Sequence, residues 1–387
     1  MKILEDLEMK AGVYTKKEIF QQPEVWKKTY DVINNYSDDI ITFNESLSHF
    51  SDVDMILTGA GSSAFIGNAV FGVRMKFQNM PSRVIPTTEL ITHPDYFLLK
   101  KRPTVLVSFA RSGNSPESIA AVDIVNNYCV NAYHIIITCN DQGKLYQIPS
   151  SPNVLKILLP PETDDVSLAM TSSFSSMMLA FILIAKIDIL SEEKNPVSEL
   201  SGWGKKILSG YEKLIANLAY LDFKRVIFLG SGPLRGTAEE SHLKLQELTN
   251  GHVICAFNSF LGFRHGPRAI INDETLIVYL FSDDDHTRKY EYDLVKQINS
   301  SENGLAQVAI SHKPVYIDGV NFDLDLCFGK DDEKEANMDY LCVVEILFAQ
   351  LLGYYKSLVL GLNPDNPSIS GTISRVVEGV KIYPYNF

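Results

Sequence analysis

From residue 53 onward the chain alternates short, continuous apolar runs with longer segments of helical periodicity, and it does so twice. Val53-Asp54-Met55-Ile56-Leu57 runs into Thr58-Gly59-Ala60-Gly61-Ser62-Ser63, an apolar strand entering a glycine turn ahead of a helix. Arg225-Val226-Ile227-Phe228-Leu229 enters Gly230-Ser231-Gly232 in the same way, with Gly230 at an offset of 171 from Gly59. Thr104-Val105-Leu106-Val107 has its partner in Thr275-Leu276-Ile277-Val278 at that same offset of 171, and Ile135-Ile136-Ile137-Thr138 is matched by Gln307-Val308-Ala309-Ile310 at 172. Three elements at a nearly constant offset indicate an internal duplication.

Within each half, Val- and Ile-rich runs alternate with helical segments such as 115–127 and 285–298. Continuous apolar strands separated by helices predict a parallel sheet covered on both faces. The expected fold class is therefore α/β, with two doubly wound parallel-sheet domains and an N-terminal helical segment. The expected division is 1–45 for the helical segment, 46–200 for the first domain, 201–370 for the second and 371–387 for a tail. Thr15 and Glu18 have the spacing of a capping box, and Pro23 predicts that this first helix is short or restarts. The polar stretch 188–204 reads as the connection between domains. Ligand crevices are expected beyond the carboxyl ends of the strands, where the glycine turns lie.

Charge narrows the partners. The 387 residues carry 35 Lys+Arg against 47 Asp+Glu, a formal net charge of −12, which argues against nucleic acid and against a polybasic membrane anchor. It leaves room for a small anion, which needs only local positive groups. Hydrophobic residues make up 45% of the chain, an ordinary globular proportion. The five cysteines are scattered without a C-x-x-C pair, so a reducing cytoplasm is expected rather than a disulfide framework or zinc ribbon. The terminus Met1-Lys2-Ile3-Leu4-Glu5-Asp6 carries acids where a secretion signal has its apolar stretch. The apolar runs 179–190 and 340–360 contain charged residues and read as buried helices.

Two loops of the first half have the chemistry of an anion site. Glycine lets backbone approach a ligand, and free N–H groups at a helix start favour negative charge, which points to Gly61-Ser62-Ser63. The next strand leads into Ala110-Arg111-Ser112-Gly113-Asn114-Ser115-Pro116, also rich in small hydroxyls. Two adjacent strand ends of this kind suit one phosphate; either loop alone equally fits a serine-capped turn. The second half has Ser282-Asp283-Asp284-Asp285 at the matching place, whose carboxylates would repel a phosphate. Gly230-Ser231-Gly232-Pro233-Leu234-Arg235-Gly236 misses the dinucleotide spacing by one residue. On the following helix Lys244 and Glu247 are i,i+3 neighbours and Glu240–Lys244 an i,i+4 pair, which by spacing alone reads first as a solvated, salt-bridged face. His265 is set apart from the other histidines by the basic residues and glycines of Gly262-Phe263-Arg264-His265-Gly266-Pro267-Arg268, and no histidine has metal-ligand spacing.

Together these loops resemble the sugar isomerase (SIS) fold, duplicated as in the isomerase half of glucosamine-6-phosphate synthase. The resemblance implies that Ser62, Ser63, Ser112 and Ser115 hold phosphate, with Arg111 standing where the synthase has a glutamine. Leu243-Lys244-Leu245-Gln246-Glu247 is similar to the segment whose glutamate moves a proton between C1 and C2. Arg264-His265-Gly266-Pro267 is similar to the segment whose histidine opens the sugar ring from the partner subunit. Two departures stand out: Glu247 and His265 are spaced more widely than in the synthase, and the synthase's lysine for the open-chain sugar is absent, the chain running after Pro367 through Ser368-Ile369-Ser370-Gly371-Thr372 to Arg375. The opening Glu18-Ile19-Phe20-Gln21-Gln22-Pro23-Glu24-Val25-Trp26 and the ending 363–380 resemble more closely the D-galactosamine-6-phosphate deaminase/tagatose-6-phosphate isomerase family.

That resemblance implies a catabolic enzyme converting D-galactosamine 6-phosphate to D-tagatose 6-phosphate plus ammonia. Glu247 and His265 would be catalytic, with Lys244 orienting Glu247 or a sugar hydroxyl, and with phosphate contacts from Ser62, Ser63, Arg111, Ser112, Ser115 and Arg375. It implies no metal or organic cofactor, and a homodimer or higher homo-oligomer with a shared site. The absence of a glutaminase domain, and of a cysteine at residue 1 or 2, fits release of ammonia rather than its transfer. The alternatives are an aldose–ketose isomerase without deamination, and a non-catalytic sugar-phosphate-binding regulator.

Overall fold

Each of the two apolar series builds its own five-stranded, all-parallel sheet. The computed structural model describes residues 11–301, 304–329, 338–377 and 379–385; the acidic terminus at 1–6 and Glu378 of the ending motif lie outside the described residues. The chain begins with helices α1 (Val13–Asn35) and α2 (Ser37–Leu47). The first sheet uses β1 (Asp54–Thr58), β2 (Ser82–Val84), β3 (Thr104–Ala110), β4 (Ala132–Thr138) and β5 (Val154–Leu158). Its principal helices are α3 (Ser62–Val70), α4 (Pro116–Tyr128) and α5 (Ser172–Ala185). After α6 (Lys194–Gly210) the second sheet follows, with β6 (Arg225–Gly230), β7 (Ile254–Asn258), β8 (Thr275–Leu280), β9 (Ala306–Ser311) and β10 (Leu324–Cys327). With it go α7 (Pro233–Leu248), α8 (Asp285–Asn299), α9 (Met338–Val344) and α10 (Ile346–Val359).

The strand orders β2-β1-β3-β4-β5 and β10-β9-β8-β6-β7 are one order read from opposite edges, with β6 in the place of β1 and β8 in that of β3. The direction of winding reverses between β1 and β3, and again between β6 and β8, which opens a crevice at the carboxyl ends of each pair. Every residue of β1, β3 and β8 is buried, as continuous apolar runs require of a sheet covered on both faces. The duplication reaches the backbone. Gly61 and Gly232, equivalent positions in the two halves, both precede a helix with nearly the same torsions (φ 55, ψ −130 and φ 57, ψ −127).

By internal contacts the chain divides into two units, and neither is continuous in sequence. The first comprises 24–165, 172–198 and residues from 373 on; the second comprises residues up to 23, 166–171 and 199–372. The expected separate lead-in is thus shared out. Gly12 donates to Asn363 Oδ1 and Thr15 to Asp365 Oδ1, which fastens the start of α1 to the second unit. The capping box does not form. α1 begins at Val13 and runs through Pro23, while the Glu18 carboxylate accepts from the Val166 and Ser167 amides. The stretch expected as a connection is helical, and the unit boundary falls inside α6.

The run Asp339–Val359 is long and apolar enough to cross a membrane by composition, yet 94% of an apolar 18-residue window within it is buried inside the protein, as expected of a core helix. All five cysteines are free thiols.

Candidate active site

In the first unit, the two hydroxyl loops flank the winding reversal, because β1 and β3 are neighbours in register from Asp54↔Thr104 to Thr58↔Ser108. Gly59 is required for packing: a Cβ there would lie 2.5 Å from the Ser63 backbone carbon. Gly61 turns the chain through a positive φ, and α3 starts with Ser62 and Ser63, both buried. Their position at a helix N-terminus places two hydroxyls beside the loop that leaves β3.

The second loop is braced from behind. Asn140 Nδ2 donates to the Ser112 carbonyl (3.0 Å), the Leu145 amide to Gly113 O (2.9 Å) and the Lys144 amide to Asn114 Oδ1 (3.2 Å). A Cβ on Gly143 would stand 2.4 Å from Ser112 O, so that brace needs glycine. Ser112 and Ser115 are half-buried, and Ser115 donates to the Glu117 carboxylate.

The two arginines expected at phosphate meet each other in this unit. Arg111, almost fully buried, donates from Nη2 to the Arg375 carbonyl at 2.6 Å. Arg375 itself pairs with Asp164 Oδ1 at 2.5 Å and donates from Nε to the Asp165 carbonyl at 2.7 Å. Neither aspartate was singled out by the sequence, since the pairing joins positions 210 and 211 residues apart.

The matching place in the second unit is closed on itself. Asp283 accepts from His312 Nδ1 (2.7 Å) and Arg288 Nη2 (3.1 Å), and Asp284 caps α8 by accepting from the Thr287 amide (2.7 Å). Arg288 also donates to the Lys313 and Pro314 carbonyls. Glu291 accepts from the Ser282 amide, and burial pushes its carboxyl up to about 7. Glu345, at the break between α9 and α10, is wholly buried, and its carboxylate has no hydrogen-bond partner among the described residues. Burial, with Asp283 and Glu291 adding repulsion, raises its carboxyl well above the usual range.

The charged row on α7 is no solvated face. Glu240 and Lys244 are buried, and Lys244 Nζ lies 3.4 Å from Glu240 Oε1 and 2.6 Å from Glu247 Oε2. Only the Glu247 end reaches the surface, with 23% of its side chain exposed. The covering element is α10. Gly353 lets its backbone come close, since a Cβ there would lie 2.7 Å from Leu248 Cδ1, and Thr237 Oγ1 ties α7 to the Cys342 carbonyl of α9. Spacing alone could not reveal this, because it is long-range packing that excludes water from the row. The result is a carboxylate held by one cation at the rim of a dry interior, an arrangement suited to passing a proton.

His265 lies in the same unit on a short turn anchored by the buried Phe260 and Phe263. Ser259 Oγ caps that turn, accepting from the Gly262 amide at 3.0 Å. The His265 ring is exposed and makes no hydrogen bond with any described residue. Among the described residues no group of three or more His, Cys, Asp or Glu is arranged to hold a metal.

The model of the SIS domain matches residues 51–187. The chain is 36% identical over 379 residues to the D-galactosamine-6-phosphate deaminase AgaS of Escherichia coli, covering 97% of both proteins. The chain belongs to the SIS domain family. Among solved structures it is similar to a Clostridium novyi NT protein titled as a candidate tagatose-6-phosphate ketose/aldose isomerase, with TM-score 0.93, 39% identity, and 98% and 97% of the two chains covered. The C-terminal domain of glucosamine-fructose-6-phosphate aminotransferase from Francisella tularensis shares the fold at TM-score 0.75 and 18% identity, over 90% and 96% of the chains. The SIS model covers the first sheet and its hydroxyl loops, and the second sheet repeats the same strand order.

Proposed function

We propose that this SIS protein is a D-galactosamine-6-phosphate deaminase, releasing ammonia and forming D-tagatose 6-phosphate. The observation that carries the chemistry is the buried Glu240–Lys244–Glu247 row, whose one accessible carboxylate is held 2.6 Å from an ammonium. The full-length likeness to a deaminase supports the substrate.

Phosphate is assigned to Ser62, Ser63, Ser112 and Ser115 with the adjoining amides, and to Arg111, with Arg375 beside it. His265 assists ring opening to the aldehyde. Glu247 removes the proton from C2 while O1 takes one from water, giving an enaminol, and Glu247 then returns the C2 proton to C1. C1 is thereby reduced to the alcohol and C2 oxidised to an iminium. Water adds at C2, the carbon–nitrogen bond breaks, and the products are ketose phosphate and ammonia. Lys244 holds the Glu247 carboxylate in place throughout, and this route calls on no cofactor. The exposed His265 fits service to the site of a neighbouring copy, so we assign a homo-oligomer, acting in the cytoplasm on amino-sugar phosphates.

Glu247→Gln keeps the size of the side chain and removes the base. Ammonia release from galactosamine 6-phosphate should fall at least about 1,000-fold while sugar-phosphate binding persists, in line with loss of a positioned acid–base group. Unchanged turnover would overturn the assignment. The likeness to a structure titled as a tagatose-6-phosphate isomerase favours a second reading, isomerisation without loss of nitrogen. An aldose formed from tagatose 6-phosphate, with no ammonia from the amino sugar, would select it.

A further inference from the structure

The chain leaves the second unit after Thr372, and its last residues return to the first. There they meet the loop that carries Arg111, across 264 residues of sequence. The anchoring runs in a line from a rigid base. The Asp165 carboxylate accepts from the Ser172 amide (3.1 Å), the Ser173 amide (2.9 Å) and Ser173 Oγ (2.6 Å), capping the N-terminus of α5. With that segment fixed, the Asp165 carbonyl and the Asp164 carboxylate take the Nε and Nη2 of Arg375. The Arg375 carbonyl then receives Arg111 Nη2.

An arginine side chain has many rotamers, and its planar fork is useful only when its orientation is set. A carbonyl accepting from one nitrogen of the fork restricts the directions in which the others can point. The second copy offers a control within the same chain. Ser282 is the repeat equivalent of Arg111, so that copy has no arginine at this place. We propose that Asp164 and Arg375 are positioning residues that aim Arg111 at the phosphate of the substrate. The C-terminal segment thereby becomes part of the phosphate site without touching the reacting carbons. The inference rests on the phosphate role given above to the 111–115 loop.

The test uses the full chain. Asp164→Asn removes the charge that holds Arg375, and amide exchange of residues 373–377 in the ligand-free protein should quicken by about tenfold, the mark of a locally loosened segment. KM for galactosamine 6-phosphate should rise about five- to tenfold with kcat within about twofold, since phosphate held alike in ground and transition states is uniform binding. Asp164→Glu, which restores the charge, should recover most of both effects. Unchanged exchange would overturn the anchoring. Faster exchange with unchanged KM, or a kcat loss as large as the loss in kcat/KM, would overturn the aiming of Arg111. Should the wild-type chain release no ammonia, the functional reading fails separately. The same comparison is then read as Kd for tagatose 6-phosphate, where equal affinity of wild type and Asp164→Asn overturns the inference.

Discussion

Removing the ammonium of Lys244 tests the buried charge row most directly. In Lys244→Met the chain volume is nearly kept, but Glu240, with a fully buried side chain, loses the cation 3.4 Å away. Breaking a buried pair from one side costs about 3–5 kcal/mol, because the remaining charge is left without compensation. An exposed i,i+4 pair is worth only about 0.3–0.5 kcal/mol. The two outcomes differ by about tenfold in energy, so burial rather than spacing sets the expectation. Urea unfolding at pH 8, followed through the transition of the second unit, should show a loss near the upper range. The double variant Glu240→Gln/Lys244→Met should regain most of it, since both charges are then absent. A single-variant loss below about 1 kcal/mol would refute the argument, as it falls in the range of a solvated pair.

Three further outcomes follow from the duplicated architecture. Glu291 is pushed up to about 7 and Glu345 well above its usual range, so both bind protons more tightly folded than unfolded. Their contribution to stability is therefore complete below the unfolded glutamate value of about 4.3 and is lost as pH rises through about 7 and beyond. Glu345→Gln, which cannot ionise, should flatten that decline in urea midpoints between pH 6 and 9; an unchanged slope would count against it. The paired glycines separate fold from function. Gly230→Ala would place a Cβ 2.3 Å from Leu234 O and should lower stability, whereas Gly59→Ala, at 2.5 Å from the Ser63 backbone, should also raise KM by displacing the start of α3. Equal KM effects from the two changes, measured by ammonia release, would contradict assignment of phosphate to the first copy alone.

Much of the fold can be read from particular runs. Val105-Leu106-Val107 and Leu276-Ile277-Val278 are continuous apolar segments, which only a sheet covered on both faces can bury. Gly61 and Gly232 announce the turns, and both adopt the positive φ that glycine permits. The start of α1 was less legible. Thr15 and Glu18 have capping spacing, but both side chains are drawn to distant partners at Asp365 and at Val166–Ser167. Pro23 lies within an unbroken helix, because loss of one N–H donor is tolerated where packing holds the rest.

For the site, local sequence brought Lys244 and Glu247 together, since i,i+3 neighbours share a helix face whatever surrounds them. The internal repeat, the parallel character of the two sheets and the hydroxyl loops could likewise be read from local composition and period. Tertiary structure alone decided that the Glu240–Lys244 pair is dry, that Arg111 meets the carbonyl of Arg375, and that the second copy spends its acids on Arg288 and His312. The physical reason is common to all three. Burial and long-range pairing depend on which surfaces meet after the chain turns back on itself, and neither is encoded in the periodicity of any one segment.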